Sequence, residues 1–154
     1  MKNTRTHPYD PHISNGLFAR GLIWFSQHRI PLLGKLFRGY LNCDFSCRLP
    51  DTIFFPHPFG IVIAKGATLG DNVVIGQQVT IGNRNGVFAA PRIGNRVYIA
   101  AGAKVLGDIT IGDDVIIGAN AVVTKDVPAN VIVVGANKLM IKKTDYWTQK
   151  RQPT

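Results

Sequence analysis

His57 is the side chain of this chain best placed for proton chemistry. It stands between Pro56 and Pro58 in the stretch FFPHPFGIVIAKG, residues 54–66. A proline on each side fixes two φ angles and removes two backbone donors, so the turn is stiff. Imidazole titrates near neutrality and can accept or release a proton under physiological conditions. The other histidines have little functional weight. His7 and His12 fall in a loose tail over residues 1–15, and His28 falls on a solvated helix face. One histidine after residue 48 cannot by itself supply the three or four ligands of a zinc site. Cys43 and Cys47, four apart with no histidine nearby, make a poor metal site. No secretory signal precedes them, so they read as reduced packing cysteines in a cytoplasmic protein, and no metal is expected.

A repeat of six must position that histidine. Leu69-Gly70, Ile75-Gly76 and Ile81-Gly82 recur at intervals of six. After an interval of twelve come Ile93-Gly94, Ile99-Ala100, Val105-Leu106, Ile111-Gly112, Ile117-Gly118 and Val123-Thr124. A second rail lies two residues earlier, at Ala67, Val73, Val79, Val97, Ala103, Ile109, Val115 and Ala121. Helices repeat near 3.6 and simple strands at 2, so neither sustains this register. A three-sided coil of about eighteen residues per turn does, because each hexad then points its aliphatic residue inward onto the next coil. The residue after each aliphatic is expected at a corner with positive φ, hence glycine, asparagine or aspartate there.

The rail breaks twice. Six-residue steps back from Ile63 reach His57 and Asp51, whereas Leu49 and Phe55 keep a register offset by two. The coil therefore slips between Phe55 and Ile63, the Pro56–Gly60 turn absorbs the slip, and His57 can be aimed outward. The second break is NRNGVFAAPR, residues 83–92, where Asn85-Gly86 signals a turn; a loop leaving the coil is preferred to a degenerate hexad.

The sequence divides into a tail and helical cap over 1–48, the β-helix over 49–135 and a basic C-terminal tail over 136–154. Residues 17–41 read as helix, with Leu32, Leu33, Leu36, Phe37, Tyr40 and Leu41 in one stripe and Pro31 in its first turn. That helix caps the open end of the coil or lies on a membrane surface. All nine acids are aspartate, which favours turns and suits a strand-and-turn protein. The net charge of +9 suits an anionic partner: a phosphorylated cofactor or a membrane surface in preference to nucleic acid, because no basic run is interleaved with aromatics. No apolar run approaches the ~20 residues that span a bilayer.

The hexads, together with PHPFGIVI, TIGNR and PRIG, resemble the serine acetyltransferase branch of the hexapeptide acyltransferases over roughly residues 29–140. Short forms like this one look closest to the O-acetyltransferases of capsule, colanic acid and other surface polysaccharides. The resemblance implies an all-β fold with a short helical N-terminal segment: a left-handed parallel β-helix, assembled as a homotrimer with active sites between neighbouring prisms. It implies acetyl-CoA as acyl donor, with His57 as the base that takes a proton from the acceptor hydroxyl. The family places an aspartate fifteen residues before that histidine. Asn42 stands there, and Asp44, thirteen before, is the nearest candidate for the partner that orients the base.

Coenzyme A contacts carry over to Ala101 and Ala119, with Lys125 and Lys138 near the phosphates; core packing and solvated charge explain the same residues equally well. Serine-specific members carry an aspartate before the base and Arg-His before the P-K/R-I motif, where this chain has Pro56 and Ala89-Ala90. Both departures fall on groups that would hold serine. Asn83, Arg84 and Arg92 remain as acceptor-binding candidates, the two arginines either binding an acidic sugar or standing as solvated charges. The expected activity is therefore acetyl transfer to a sugar hydroxyl in surface polysaccharide synthesis, with serine as the alternative acceptor.

Overall fold

Each hexad contributes one short strand and one turn, and three successive strands fall on three different walls. The computed structural model describes residues 17, 20, 21, 24, 39–84, 86 and 88–141. Wall 1 stacks β1 (Asp44–Phe45), β2 (Val62–Ile63), β5 (Thr80–Gly82), β8 (Lys104–Leu106) and β11 (Val122–Val123). Wall 2 stacks β3 (Thr68–Leu69), β6 (Arg92–Ile93) and β9 (Thr110–Ile111). Wall 3 stacks β4 (Val74–Ile75), β7 (Tyr98–Ile99), β10 (Ile116–Ile117), β12 (Val131–Val134) and β13 (Lys138–Ile141). All pairings are parallel except that of β13 with β12.

The eighteen-residue coil is direct: Val62 lies beside Thr80, Arg92 beside Thr110 and Tyr98 beside Ile116. Both aliphatic rails point inward. Ile75, Ile81, Ile99, Ile111 and Ile117 have no exposed surface, nor do Val73, Val79, Val97 and Val115 from the second rail. Each such burial contributes roughly 1.5–3 kcal/mol. Their β-branched side chains have few rotamers to lose in a strand.

The corners differ from expectation. Positive φ falls three residues after the inward aliphatic: at Asn72 after Leu69, Gln78 after Ile75, Arg96 after Ile93, Gly102 after Ile99, Asp114 after Ile111 and Asn120 after Ile117. The residue immediately after the aliphatic is small for another reason, close approach to the next coil. A Cβ on Gly70 would stand 2.7 Å from the carbonyl of Gly94, and one on Gly112 would press on the backbone of Ala129. Spacing revealed the glycine rail, but only the stacking reveals that it serves proximity and not torsion.

Both breaks are where expected. Phe54 pairs with Val74, twenty residues on, whereas Val62 pairs with Thr80, eighteen on. Two extra residues therefore enter between Phe55 and Gly60. Phe55 is buried and stacks on Phe45, ring centroids 5.3 Å apart, filling the core beneath this widened coil. At the second break Thr80 pairs with Lys104, twenty-four on, so six residues are added between wall 1 and wall 2. Among the described residues no strand lies between Gly82 and Arg92, and Phe88 is 91% exposed, as a loop requires.

Of the expected N-terminal helix, residues 17, 20, 21, 24 and 39–41 are helical; most of residues 17–41, and with them the capping or membrane role, lie outside the described residues. No helix among the described residues is long and apolar enough to cross a membrane. Wall 1 already opens with β1, upstream of residue 49, and β13 folds residues 138–141 back onto β12.

Candidate active site

The two inserted residues turn His57 out of the prism, where it is exposed. The Phe59 N–H donates to the His57 carbonyl at 2.8 Å, closing a three-residue turn centred on Pro58. The locked φ of proline lies close to what such a turn needs. The turn is pinned from both neighbouring coils: the Gly60 N–H donates to Leu41 at 3.0 Å, and the Phe59 carbonyl accepts from Gln78 at 2.8 Å. The backbone thus has little freedom, while the imidazole makes no hydrogen bond among the described residues.

Asp44 sits on the outer face of β1 and is exposed. Its carboxylate accepts a 3.3 Å hydrogen bond from the Ser46 hydroxyl, and none joins it to His57. The expected pairing of base and carboxylate is therefore not formed in this arrangement.

Ala101 and Ala119 share the corner between wall 3 and wall 1 with the His57 turn. Hydrogen bonds step down this corner from Gln78 to Phe59, from Gly102 to Gln77 and from Asn120 to Ala101. The corner between wall 2 and wall 3 shows what is special here. There the N–H of Asp71 is capped by the Asn95 side chain at 2.9 Å, and the N–H of Asn95 by Asp113 at 2.8 Å. The equivalent residues at the His57 corner are Gln77, Ala101 and Ala119. Alanine has no oxygen to offer the rung above, and these three N–H groups donate to nothing among the described residues. One rung is about 4.8 Å, so a row of unpaired donors runs down the corner from beneath His57. Such a row suits a ligand whose amide carbonyls are strung along an extended arm.

The remaining candidates scatter. Lys125 is exposed at a different corner, between wall 1 and wall 2. Lys138 is exposed at the start of β13, just after the turn in which Gly135 accepts from Val122 at the foot of the His57 corner. Arg92 is held on wall 2 by Asp108 at 2.8 Å and Thr110 at 3.3 Å. Asn83 and Arg84 are exposed at the start of the loop, while Ala90 at its end is buried.

Burial pushes the Cys47 thiol up to about 11 and the Cys43 thiol also upward, so neither is a thiolate nucleophile near neutral pH. No three metal-ligating side chains converge among the described residues. Sequence reasoning missed Gln77 and Gln78. The available signal was two adjacent glutamines where the following coils carry Ala101-Gly102 and Ala119-Asn120.

Comparisons with known proteins bear on the coil. Residues 90–125 match the bacterial transferase hexapeptide family, six repeats. A serine acetyltransferase of Helicobacter pylori strain J99 is 48% identical over 94 residues, covering 59% of this chain and 54% of its own length. One from Staphylococcus aureus strain Mu50 is 46% identical over 122 residues, 78% of this chain and 57% of its own. The crystal structure of a Brucella abortus serine acetyltransferase in complex with coenzyme A superposes with a TM-score of 0.65 at 30% identity, covering 80% of this chain and 52% of that one. The chain thus spans about half the length of the relatives it matches. Its coils are similar, in sequence and in fold, to those of serine acetyltransferases.

Proposed function

We propose that this chain transfers the acetyl group of acetyl-CoA to the hydroxyl of serine, with His57 as general base. The observation that carries the proposal is the placement of an exposed, backbone-clamped imidazole at the head of a corner lined with unpaired N–H donors. The pantetheine arm lies along that corner, its carbonyls accepting from Ala101 and Ala119, with Lys138 toward the phosphates. His57 takes the hydroxyl proton as the oxygen attacks the thioester carbonyl. A corner N–H stabilises the oxyanion, and the thiolate leaves with the proton from His57. No acyl-enzyme forms. Holding hydroxyl, thioester and base in one geometry supplies much of the rate, which is what a rigid turn favours.

The assembly proposed is a homotrimer of left-handed coils with the His57 corner facing a neighbour. It rests on the resemblance to serine acetyltransferases; the apolar outer column of wall 3, from Phe54 through Val74, Tyr98 and Ile116 to Ile132, is already partly covered within the chain, where Val74 and Ile116 are buried.

Serine is preferred as acceptor because the relatives above are serine acetyltransferases. The comparisons lend no support to the polysaccharide reading expected from the sequence. One observation still favours a sugar hydroxyl as a second reading: Ala89 and Ala90 place no charge at the end of the loop for a zwitterion to meet. Thiol release from acetyl-CoA, measured with serine and with nucleotide-sugar acceptors in parallel, separates the two. Turnover of serine alone supports the first reading. Turnover of a sugar without serine replaces it, and acetyl transfer unaffected by His57→Ala sinks both.

A further inference from the structure

Gln78 is out of place. In its corner column the positive-φ positions are Asn42, Gly60, Gln78, Gly102 and Asn120, and only the glutamine belongs to a type that rarely adopts that conformation. Across the described residues only Arg96 shares this oddity, and its guanidinium is held by Asp114 at 3.0 and 2.7 Å. Gln78 is held as firmly, and by its backbone. Its N–H donates to the Phe59 carbonyl at 2.8 Å, and its own carbonyl accepts from the Lys104 ammonium at 2.6 Å. Its Cγ packs beneath Gly60, 3.4 Å from where a Cβ would stand. Phe59 in turn closes the turn onto His57.

Lys104 is the only cation in the outward column of wall 1, which reads Asp44, Val62, Thr80, Lys104 and Val122. It spends its charge on a backbone carbonyl and not on a carboxylate. A strained residue clamped on both sides, directly under the turn that carries the base, is the arrangement expected where strain serves a site. We propose that Lys104 is a positioning residue: by holding the Gln78 carbonyl it fixes the backbone of the residue whose N–H supports the His57 turn. The structural part stands on geometry alone, and its catalytic consequence rests on the reading of His57 as base.

The test uses the whole protein and two independent readouts. Lys104→Met keeps the aliphatic stem and removes the donor. Amide exchange at Gln78 is expected to quicken about tenfold, while the Arg96 N–H, bonded to Asp71 on the other corner, stays within twofold of its original rate. In the acetyl-CoA and serine assay kcat is expected to fall about tenfold with KM for acetyl-CoA within twofold. Lys104→Arg recovers most of both losses. Glycine adopts positive φ without restraint, so Gln78→Gly combined with Lys104→Met is expected to recover kcat relative to Lys104→Met alone. Unchanged Gln78 exchange in Lys104→Met, or a double variant no better than the single, overturns the proposal. Absence of turnover in the unaltered protein overturns the reaction instead, and the exchange arm then decides the clamp by itself.

Discussion

Gly76 and Ala101 lie one above the other at the corner between wall 3 and wall 1, so close that a Cβ on Gly76 would stand 2.7 Å from the Ala101 nitrogen. The obstacle is backbone and cannot swing aside. Gly76→Ala must therefore spread two coils just where the unpaired N–H row begins. Overpacking of this kind costs about 1–3 kcal/mol, so thermal denaturation is expected to show a melting temperature lower by roughly 3–10 °C.

Ala119→Asn tests the row itself. At the neighbouring corner the Asn95 side chain caps the N–H of the rung above, and an asparagine at 119 could do the same to Ala101. Capping one ligand donor removes a hydrogen bond worth about 0.5–1.5 kcal/mol. KM for acetyl-CoA is expected to rise roughly three- to tenfold in steady-state kinetics, with the melting temperature unchanged or higher.

Asp113 gives the fold a dependence on acid. Its carboxylate accepts from the Asn95 backbone N–H and side chain and lies near Arg96, all of which hold its pKa below the ordinary aspartate range. A depressed carboxylate contributes stability that is present above the unfolded pKa, near 3.9, and lost as pH falls through the folded value. Denaturation midpoints are expected to fall below about pH 4. Asp113→Asn should flatten that fall and leave the slope above pH 6 unaltered.

His57→Ala separates chemistry from architecture. The ring is exposed and the turn is held by its backbone. We expect kcat to fall by about 10²–10⁴, while the melting temperature and acetyl-CoA affinity measured by calorimetry stay near those of the unaltered protein.

The coil and the slip at His57 were legible because periodicity is a one-dimensional signal: Ile63, Ile75 and Ile81 declare their common direction through spacing alone. Positive φ at Gln78 and Arg96 was not, since both residues break local preference and are held by partners eighteen to twenty-six positions away. Asp44 was legible as a candidate, but its contacts were not. Its distance along the chain suggested a partner for His57, yet the pleat sets it on the outer face of β1 beside Ser46. Ala101 and Ala119 were legible as small residues; why smallness matters there required the capped corner next door.

The reversal of β13 has a consequence for how the stack ends. A stack of parallel rungs ends in a row of open amides and carbonyls, an invitation for another molecule to continue the pile end to end. By doubling back antiparallel over β12, with Lys138 exposed at its start, the chain closes wall 3 with a strand of the opposite direction, onto which a further parallel rung does not stack in register.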